Sequence, residues 1–450
     1  MIPEIENLQP FGNGIDEHVT LYSHEDYIYR KITTSSAAFY STLFESDFIR
    51  NAIKKSLIPA TELIESKTNE EIWLKQERIS HLSYFHEWPM AMIVDAAAAT
   101  LQLHEELIQA GYCLLDSHPW NVVFNKDPLW VDITSIRPYD GVLAQGSLQQ
   151  FQNYFIAIMR MQKVGLGDLA RSAFSHAFCS FPLTGSAFWA RKNRDLPTSP
   201  PVRILQHFFA ASGAFREVLG DEVRQSLDSR RGPADKEQNF ATILRLKNLL
   251  SELSPKGSAG SWSQYSQAGL DPITTDELMS KAPDVERLNN EKFAGVYSML
   301  QRCREDSNDL LDVACNRGIF SLFGNLLGFK VVAVDSDEGA LEDLYTESKR
   351  CDMAITIVLN DAVAPVEAQG MLSNPLPTFV ERMSADCVLC LALIHHLRFG
   401  LYRMTAERQA RLFSKYAKKW LILEYVPFSD EHLRANYPKA ESPEDYAKEN

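Results

Sequence analysis

The sequence predicts an α/β protein: a parallel sheet covered by helices in the C-terminal half, preceded by an α+β module and a helical segment. Three observations carry that expectation. Beyond residue 285, short β-rich runs alternate with helical patterns, as parallel strands joined by right-handed crossovers require. In the first 145 residues the extended runs are shorter, with a hairpin at the start and one long amphipathic helix. Between these regions, Ser147 to about Leu250 reads as mostly helical. The expected division is 1–145, then the helical segment 146–253, a linker with lead-in helices over 254–285, and the sheet domain 286–450.

Taking the elements in order, Val19–Tyr22 and Tyr27–Ile32 form a hairpin around Ser23–Asp26, and a helix covers Ser36–Lys55. Met90–Ala110 is a helix because Ile93, Ala97, Leu101, His104 and Ile108 recur at helical spacing, with Gly111 as its cap. Tyr112–Leu115, Val122–Phe124 and Leu129–Ile133 are short extended runs. His81, His86 and Trp88, in HLSYFHEWP, read as packing at a link between lobes. SRRGPAD at 229–235 is a minor break, and the Ser- and Gly-rich stretch Ser254–Gly269 is a connection. Strands follow at Asp309–Ala314, Lys330–Val334, Met353–Leu359, Asp386–Leu393 and Trp420–Val426. Helices fall at Phe320–Leu327, Gly339–Lys349 and Thr405–Lys418.

Composition excludes several classes. At 45% hydrophobic and 23% charged residues, the chain is neither wholly disordered nor fibrous. Its 45 basic against 59 acidic residues give a net charge of −14, without the basic footprint of a nucleic-acid or anionic-membrane binder. No apolar run approaches a bilayer-spanning length, since the longest, Ala385–Ile394, contains Asp386. The acidic start, MIPEIENLQP, is not a signal peptide. Seven scattered cysteines make no disulfide framework. Cys387 and Cys390 lie three apart in a strand, face opposite sides and read as core thiols. A cytoplasmic location follows as an expectation, and no metal ligands stand at diagnostic spacing.

Residues 310–321, LLDVACNRGIFS, run from an apolar strand through a turn of small and polar residues into a helix. That turn brings backbone close to a ligand at the strand's carboxyl end, facing a helix N-terminus. Ala314 and Asn316 stand where glycines are common, and Gly318 remains. Val331–Asp335 ends in an acid some twenty residues on, where this architecture binds a ribose diol. Asn360, Asp361 and Ala362 end the next strand, and ADCVLCLALIHHL at 385–397 brings His395 and His396 to the rim.

These motifs resemble the class I S-adenosylmethionine-dependent methyltransferases, over roughly Asn290–Pro427. GSWSQY at 260–265, ALEDLY at 340–345, LALIHHL at 391–397 and EYVP at 424–427 are similar to one bacterial group of them, related to a host-specificity nodulation protein. The resemblance implies S-adenosylmethionine as cofactor, with Asp312, Ala314 and Gly318 along its methionine part, Asp335 on the ribose and Asp361 beside the adenine. Asn316 and Ala392 are counted with these cofactor contacts. It also implies a Rossmann-like sheet closed by an antiparallel hairpin, yet the 23 residues after Pro427 show no clear pair of strands. The acceptor expected is a small molecule or glycan, methylated on oxygen or nitrogen. His395 or His396 is the candidate base, because imidazole titrates near neutral pH.

Asp116, Asn121 and Asp132 follow the order and near-spacing of a kinase catalytic loop with its second metal-binding Asp. The first 145 residues therefore resemble a degenerate protein-kinase-like or aminoglycoside-phosphotransferase-like module. Lys31 is the candidate strand lysine, with Arg30 an equal claimant. The Phe-Gly after the last Asp is replaced by Ile133 and Thr134, and the Gly-rich loop is reduced to Gly12 and Gly14. The alternative function is a phosphotransferase or ATP-binding regulator built on these residues.

Overall fold

The computed structural model describes residues 8–10, 18–33, 37–64, 71–163, 165–176, 234–254, 276, 291–370, 376–438 and 440. Near the N-terminus, β1 (Gln9–Pro10), β2 (Val19–His24), β3 (Tyr27–Thr33), β4 (Thr61–Ile64) and β5 (Glu71–Glu77) form an antiparallel sheet ordered β1-β2-β3-β5-β4. Where the sequence predicts one helix over Ser36–Lys55, there are two, α1 (Ala37–Glu45) and α2 (Asp47–Lys54). Ser46 divides them: its hydroxyl donates to the Leu43 carbonyl at 2.5 Å and receives the Ile49 N–H, a local bonding that competes with helix continuation.

α3 (Met90–Ala110) ends at Gly111, whose φ of 88° makes a left-handed cap. Ile93, Ala97, Leu101, His104 and Ile108 are fully buried along one stripe of this helix. Two small ladders follow: β6 (Tyr112–Leu114) with β9 (Ile136–Pro138), and β7 (Val122–Phe124) with β8 (Pro128–Trp130). Then come α4 (Gly141–Phe151), a π turn, α5 (Ala157–Lys163), α6 (Gly167–Phe174) and α7 (Lys236–Leu253), which packs on α3. Most of the two sequence breaks, and the motif at 260–265, lie outside the described residues.

The C-terminal half contains α8 (Glu291–Arg304), β10 (Asp309–Val313), α9 (Ile319–Leu326), β11 (Lys330–Asp335), α10 (Glu338–Arg350) and β12 (Ile355–Leu359). It continues with α11 (Phe379–Met383), β13 (Ala385–Cys390), α12 (Ile394–Phe399), α13 (Ala406–Phe413) and β14 (Ala417–Leu423). The sheet order is β12-β11-β10-β13-β14, and every pair is parallel. This is an α/β, Rossmann-like sheet, and its order reverses between β10 and β13, which opens a crevice at their carboxyl ends. β13 stops at Cys390 rather than Leu393 because Ala392 turns left-handed, with φ 49°. Among the described residues no strand follows β14; the chain instead forms α14 (Glu431–Asn436).

Alternate strand residues feed two cores. Leu310, Val331, Ala333, Ile357, Cys387 and Leu389 face one that is continuous with the N-terminal half, while Leu311, Val332, Val388 and Cys390 face the other. Cys387 and Cys390 thus sit on opposite faces, buried and unpaired in disulfides. Among the described residues, no helix is long and apolar enough to cross a membrane.

Candidate functional site

The turn after β10 carries left-handed backbone at three alternate residues: Ala314 (φ 56°), Asn316 (φ 52°) and Gly318 (φ 67°). Asn tolerates this region, whereas an alanine there costs roughly 1–2 kcal/mol. At Gly318 a Cβ would also lie 2.5 Å from the Leu344 Cδ1 and Cδ2 atoms of α10. Sequence reading did not single out Gly324, where a Cβ would sit 2.4 Å from Leu310 Cδ2. Its lack of a side chain lets α9 lie close on the central strand, the third role of glycine in such turns.

Asp312 and Asp335 converge behind this turn. Asp312 is only 3% exposed, and Ser321 Oγ donates to its Oδ2 at 2.6 Å. Burial, with the Asp335 charge adding, pushes the Asp312 carboxyl up to about 7. Asp335 accepts the backbone N–H of Asn316 at 2.7 Å on Oδ2 and that of Asp337 at 2.8 Å on Oδ1. Burial raises its pKa too, and these N–H groups oppose the rise. The Ser336 N–H also lowers the pKa, and the carboxylate's remaining acceptor capacity is what a hydroxyl donor would use. Lys292, at the start of α8, pairs with Glu424 at 2.7 Å and acts electrostatically on Asp312.

Asp361 is turned into its own loop: Oδ1 accepts Val363 N–H at 2.8 Å, and Oδ2 accepts the Tyr402 hydroxyl. Ala392 follows β13 in the left-handed region, half-buried at the same edge. His395 and His396 begin α12 with ring centroids 4.0 Å apart. The Nδ1 of His396 is 2.7 Å from the Tyr437 hydroxyl. His395 is 3% exposed, its Nδ1 has no hydrogen-bond partner, and burial followed by its neighbour His396 pulls it down to about 4. It is therefore a neutral imidazole at pH 7.

In the N-terminal half, Asp116, Asn121 and Asp132 do come together. Asn121 Nδ2 donates to Asp116 Oδ1 at 2.7 Å. Burial, then the charge of Asp132, pushes Asp116 up to about 7. Lys31 does not join them: it pairs with Glu71 at 2.7 Å and lies 5.7 Å from the Trp73 ring centroid. Adjacent strand residues face opposite sides, and Arg30 is the one that enters the cleft. It donates to Asp132 Oδ1, Thr134 Oγ1 and the Val131 carbonyl, each at 2.9 Å. Gly12 and Gly14 lie outside the described residues.

The two halves meet through residues that sequence reading took as packing. Trp88 is fully buried, edge-on to Phe85 and Phe124. Glu87, however, forms a buried bidentate pair with Arg382, at 2.6 and 2.9 Å. Its short-range signal was a carboxylate embedded in an otherwise aromatic segment.

No protein-family model matches the chain. It is 27% identical over 377 residues to the nodulation protein NoeA of Rhizobium meliloti (strain 1021), covering 80% of this chain and 72% of that protein. Among solved structures, it is similar to a magnesium protoporphyrin IX methyltransferase, ChlM, from Synechocystis PCC 6803, at 15% identity and a TM-score of 0.25, over 37% of this chain and 67% of that one. It is also similar to vaccinia related kinase 3, at 10% identity and a TM-score of 0.26, over 48% of this chain and 87% of that one. The chain spans only 58% and 45% of two other solved structures that it matches. TM-scores this low carry no argument for function. The sequence match bears out the resemblance read from the motifs: the chain is similar to the nodulation protein NoeA over most of its length and carries an α/β, Rossmann-like sheet.

Proposed function

We propose that the chain is an S-adenosylmethionine-dependent methyltransferase acting on a small-molecule or glycan-type acceptor. The observation that carries this reading is the meeting of Asp312 and Asp335 at a triply left-handed turn, at the carboxyl end of the central strand. The donor set fits the cofactor: a buried carboxylate suits a cationic ligand, and Asp335 keeps acceptor capacity for a diol. The cofactor, when bound, supplies a methyl group activated on a sulfonium. Asp312 offers negative charge to its methionine part, Asp335 takes the ribose hydroxyls, and the loop at Asn360–Asp361 borders the adenine. Ala314, Asn316, Gly318 and Ala392 give close backbone approach. His395 Nδ1, buried and without a partner, is the candidate to accept the acceptor's proton where the acceptor opens a path to it. Burial makes it a weaker base than a free imidazole, while His396 is held by Tyr437.

A second reading attaches to the N-terminal cleft, whose Asp116, Asn121, Asp132 cluster supports a kinase-like module. Arg30 already supplies Asp132 with the positive charge that a metal ion would bring. This favours a module that has kept the architecture and lost phosphoryl transfer, since that chemistry needs metal, lysine and phosphate cradle together.

Thermal-shift titration of the full chain with S-adenosylmethionine, its demethylated product, and ATP with magnesium tests both readings. Ligand that binds only the folded state raises the midpoint. A rise with the first two supports the methyltransferase; no rise with either overturns it.

A further inference from the structure

The loops at the carboxyl ends of β11 and β12 are anchored from outside their own domain. Glu87, with no exposed surface, lies in the turn between the N-terminal sheet and α3. Its Oε1 accepts from Arg382 Nη2 at 2.6 Å and from Asn360 Nδ2 at 3.2 Å. Its Oε2 accepts from Arg382 Nη1 at 2.9 Å and from the Tyr84 N–H at 2.8 Å. The Arg382 guanidinium also stacks 4.2 Å from the Tyr84 ring centroid. Asn360 is the hub of its loop: its Oδ1 receives the N–H groups of Asp361 and Val366, each at 2.9 Å. His86 Nε2 reaches the Val366 carbonyl at 3.1 Å, closing a second contact on the same loop.

The neighbouring loop is held in the same manner. Glu338, directly after the Asp337 whose N–H binds Asp335, accepts the Met90 N–H at 2.9 Å and Gln162 Nε2 at 2.9 Å, and pairs with Arg171. Both loops would face the adenosyl half of the cofactor, and neither is fixed by the Rossmann-like sheet alone.

We propose that Glu87 is a positioning residue for the adenosyl half of the cofactor site, so that the N-terminal half is a required part of that site. The inference rests on the methyltransferase reading. Glu87 gives Asn360 a fixed acceptor, and Arg382 supplies the counter-charge that a buried carboxylate requires. Without that carboxylate, Asn360 Nδ2 keeps only the Val366 carbonyl, at 3.2 Å within its own loop, and the loop from Asp361 to Val366 loses its tie to the N-terminal half. Binding would then have to order the loop, and affinity falls.

The test is calorimetric titration of the full chain and its Glu87→Gln variant with S-adenosylmethionine, its demethylated product and adenosine. The expected result is a loss of at least tenfold for all three ligands in a variant whose circular dichroism is unchanged. A Glu87 that is merely structural would lower the melting midpoint and leave the affinity of the folded chain intact; that result overturns the proposal. If the variant does not fold, hydrogen exchange on the wild-type chain decides. By reciprocity, the demethylated product should slow exchange at residues 84–88 as well as at 335–338 and 360–366. Slowing confined to the two loops overturns the clamp. Wild-type chain that binds none of the three ligands removes the methyltransferase reading itself, and the clamp with it.

Discussion

Ser321 donates a 2.6 Å hydrogen bond to Asp312, and this one bond is the carboxyl group's direct compensation for burial at the heart of the sheet's crevice. Desolvation outweighs it, which is why the group titrates near 7 rather than in the usual carboxylate range.

The first prediction follows from that imbalance. A carboxyl whose folded pKa is raised contributes stability that is complete below its unfolded value, near pH 4, and is lost as pH rises through about 7. The loss is on the order of 4 kcal/mol, at about 1.4 kcal/mol per pKa unit. Asp312→Asn should therefore raise stability to urea at pH 8 by a few kcal/mol and leave it nearly unchanged at pH 4. In the wild type, S-adenosylmethionine should bind more tightly as pH rises from 5.5 toward 8, because a cationic ligand favours ionised Asp312. Urea melts at the two pH values and calorimetry across the range check both statements; equal stabilisation at pH 4 and 8 would refute the first.

Backbone strain in the turn gives a paired expectation. Ala314→Gly should stabilise the chain by about 1 kcal/mol, because φ 56° no longer opposes a Cβ. Gly318→Ala should destabilise it by roughly 2–3 kcal/mol, since the new methyl meets Leu344 and also sits at positive φ. Chemical denaturation of the two variants tests the pair, and a stabilised Gly318→Ala would show the turn is not built as described.

Removing the ribose partner should act on binding. Asp335→Ala is expected to weaken S-adenosylmethionine by roughly tenfold or more, having removed two hydroxyl contacts to a charged acceptor. Unchanged affinity in a folded variant by calorimetry would contradict the role.

The two histidines should separate. His395→Ala should lower turnover by roughly 10²–10⁴-fold while keeping cofactor affinity, the behaviour of a group that acts in the transition state. His396→Ala loses its Tyr437 contact and should change turnover far less. Release of the demethylated product, measured once the acceptor is in hand, separates them; wild-type rates in both would make the histidines structural.

The N-terminal cleft should not transfer phosphate. Radiolabelled ATP incubated with the full chain and magnesium should show no γ-phosphate turnover, because Arg30 already occupies Asp132. Turnover that vanishes in Asp132→Ala would reverse this and promote the phosphotransferase reading.

Local elements were legible because local chemistry specifies them. The stripe from Ile93 to Ile108 and Gly111 at its end delimit α3 at the same residues in sequence and in structure. The apolar runs of the C-terminal half mark all five parallel strands to within three residues at either end; the inner ones are buried and so read as continuous hydrophobic segments, while β14 is a largely exposed edge strand. Errors came where a local bond or turn redirected the backbone. Ser46 cut a predicted helix in two, and the left-handed turn at Ala392 ended β13 early.

By itself, then, the sequence determined the alternation of strands and helices, the turn around Ala314, Asn316 and Gly318, and the position of Asp335 at a strand end. All of these are written within a few residues of one another, where period and turn chemistry act. Only the tertiary structure decided that Arg30 rather than Lys31 meets Asp132, since strand facing depends on what each side of the sheet packs against. It alone joined Glu87 to Arg382 and Asn360, residues some 300 and 270 positions away. No local pattern encodes such a pairing: the partners are chosen when two apolar cores close into one and leave a buried carboxylate that must find its counter-charge.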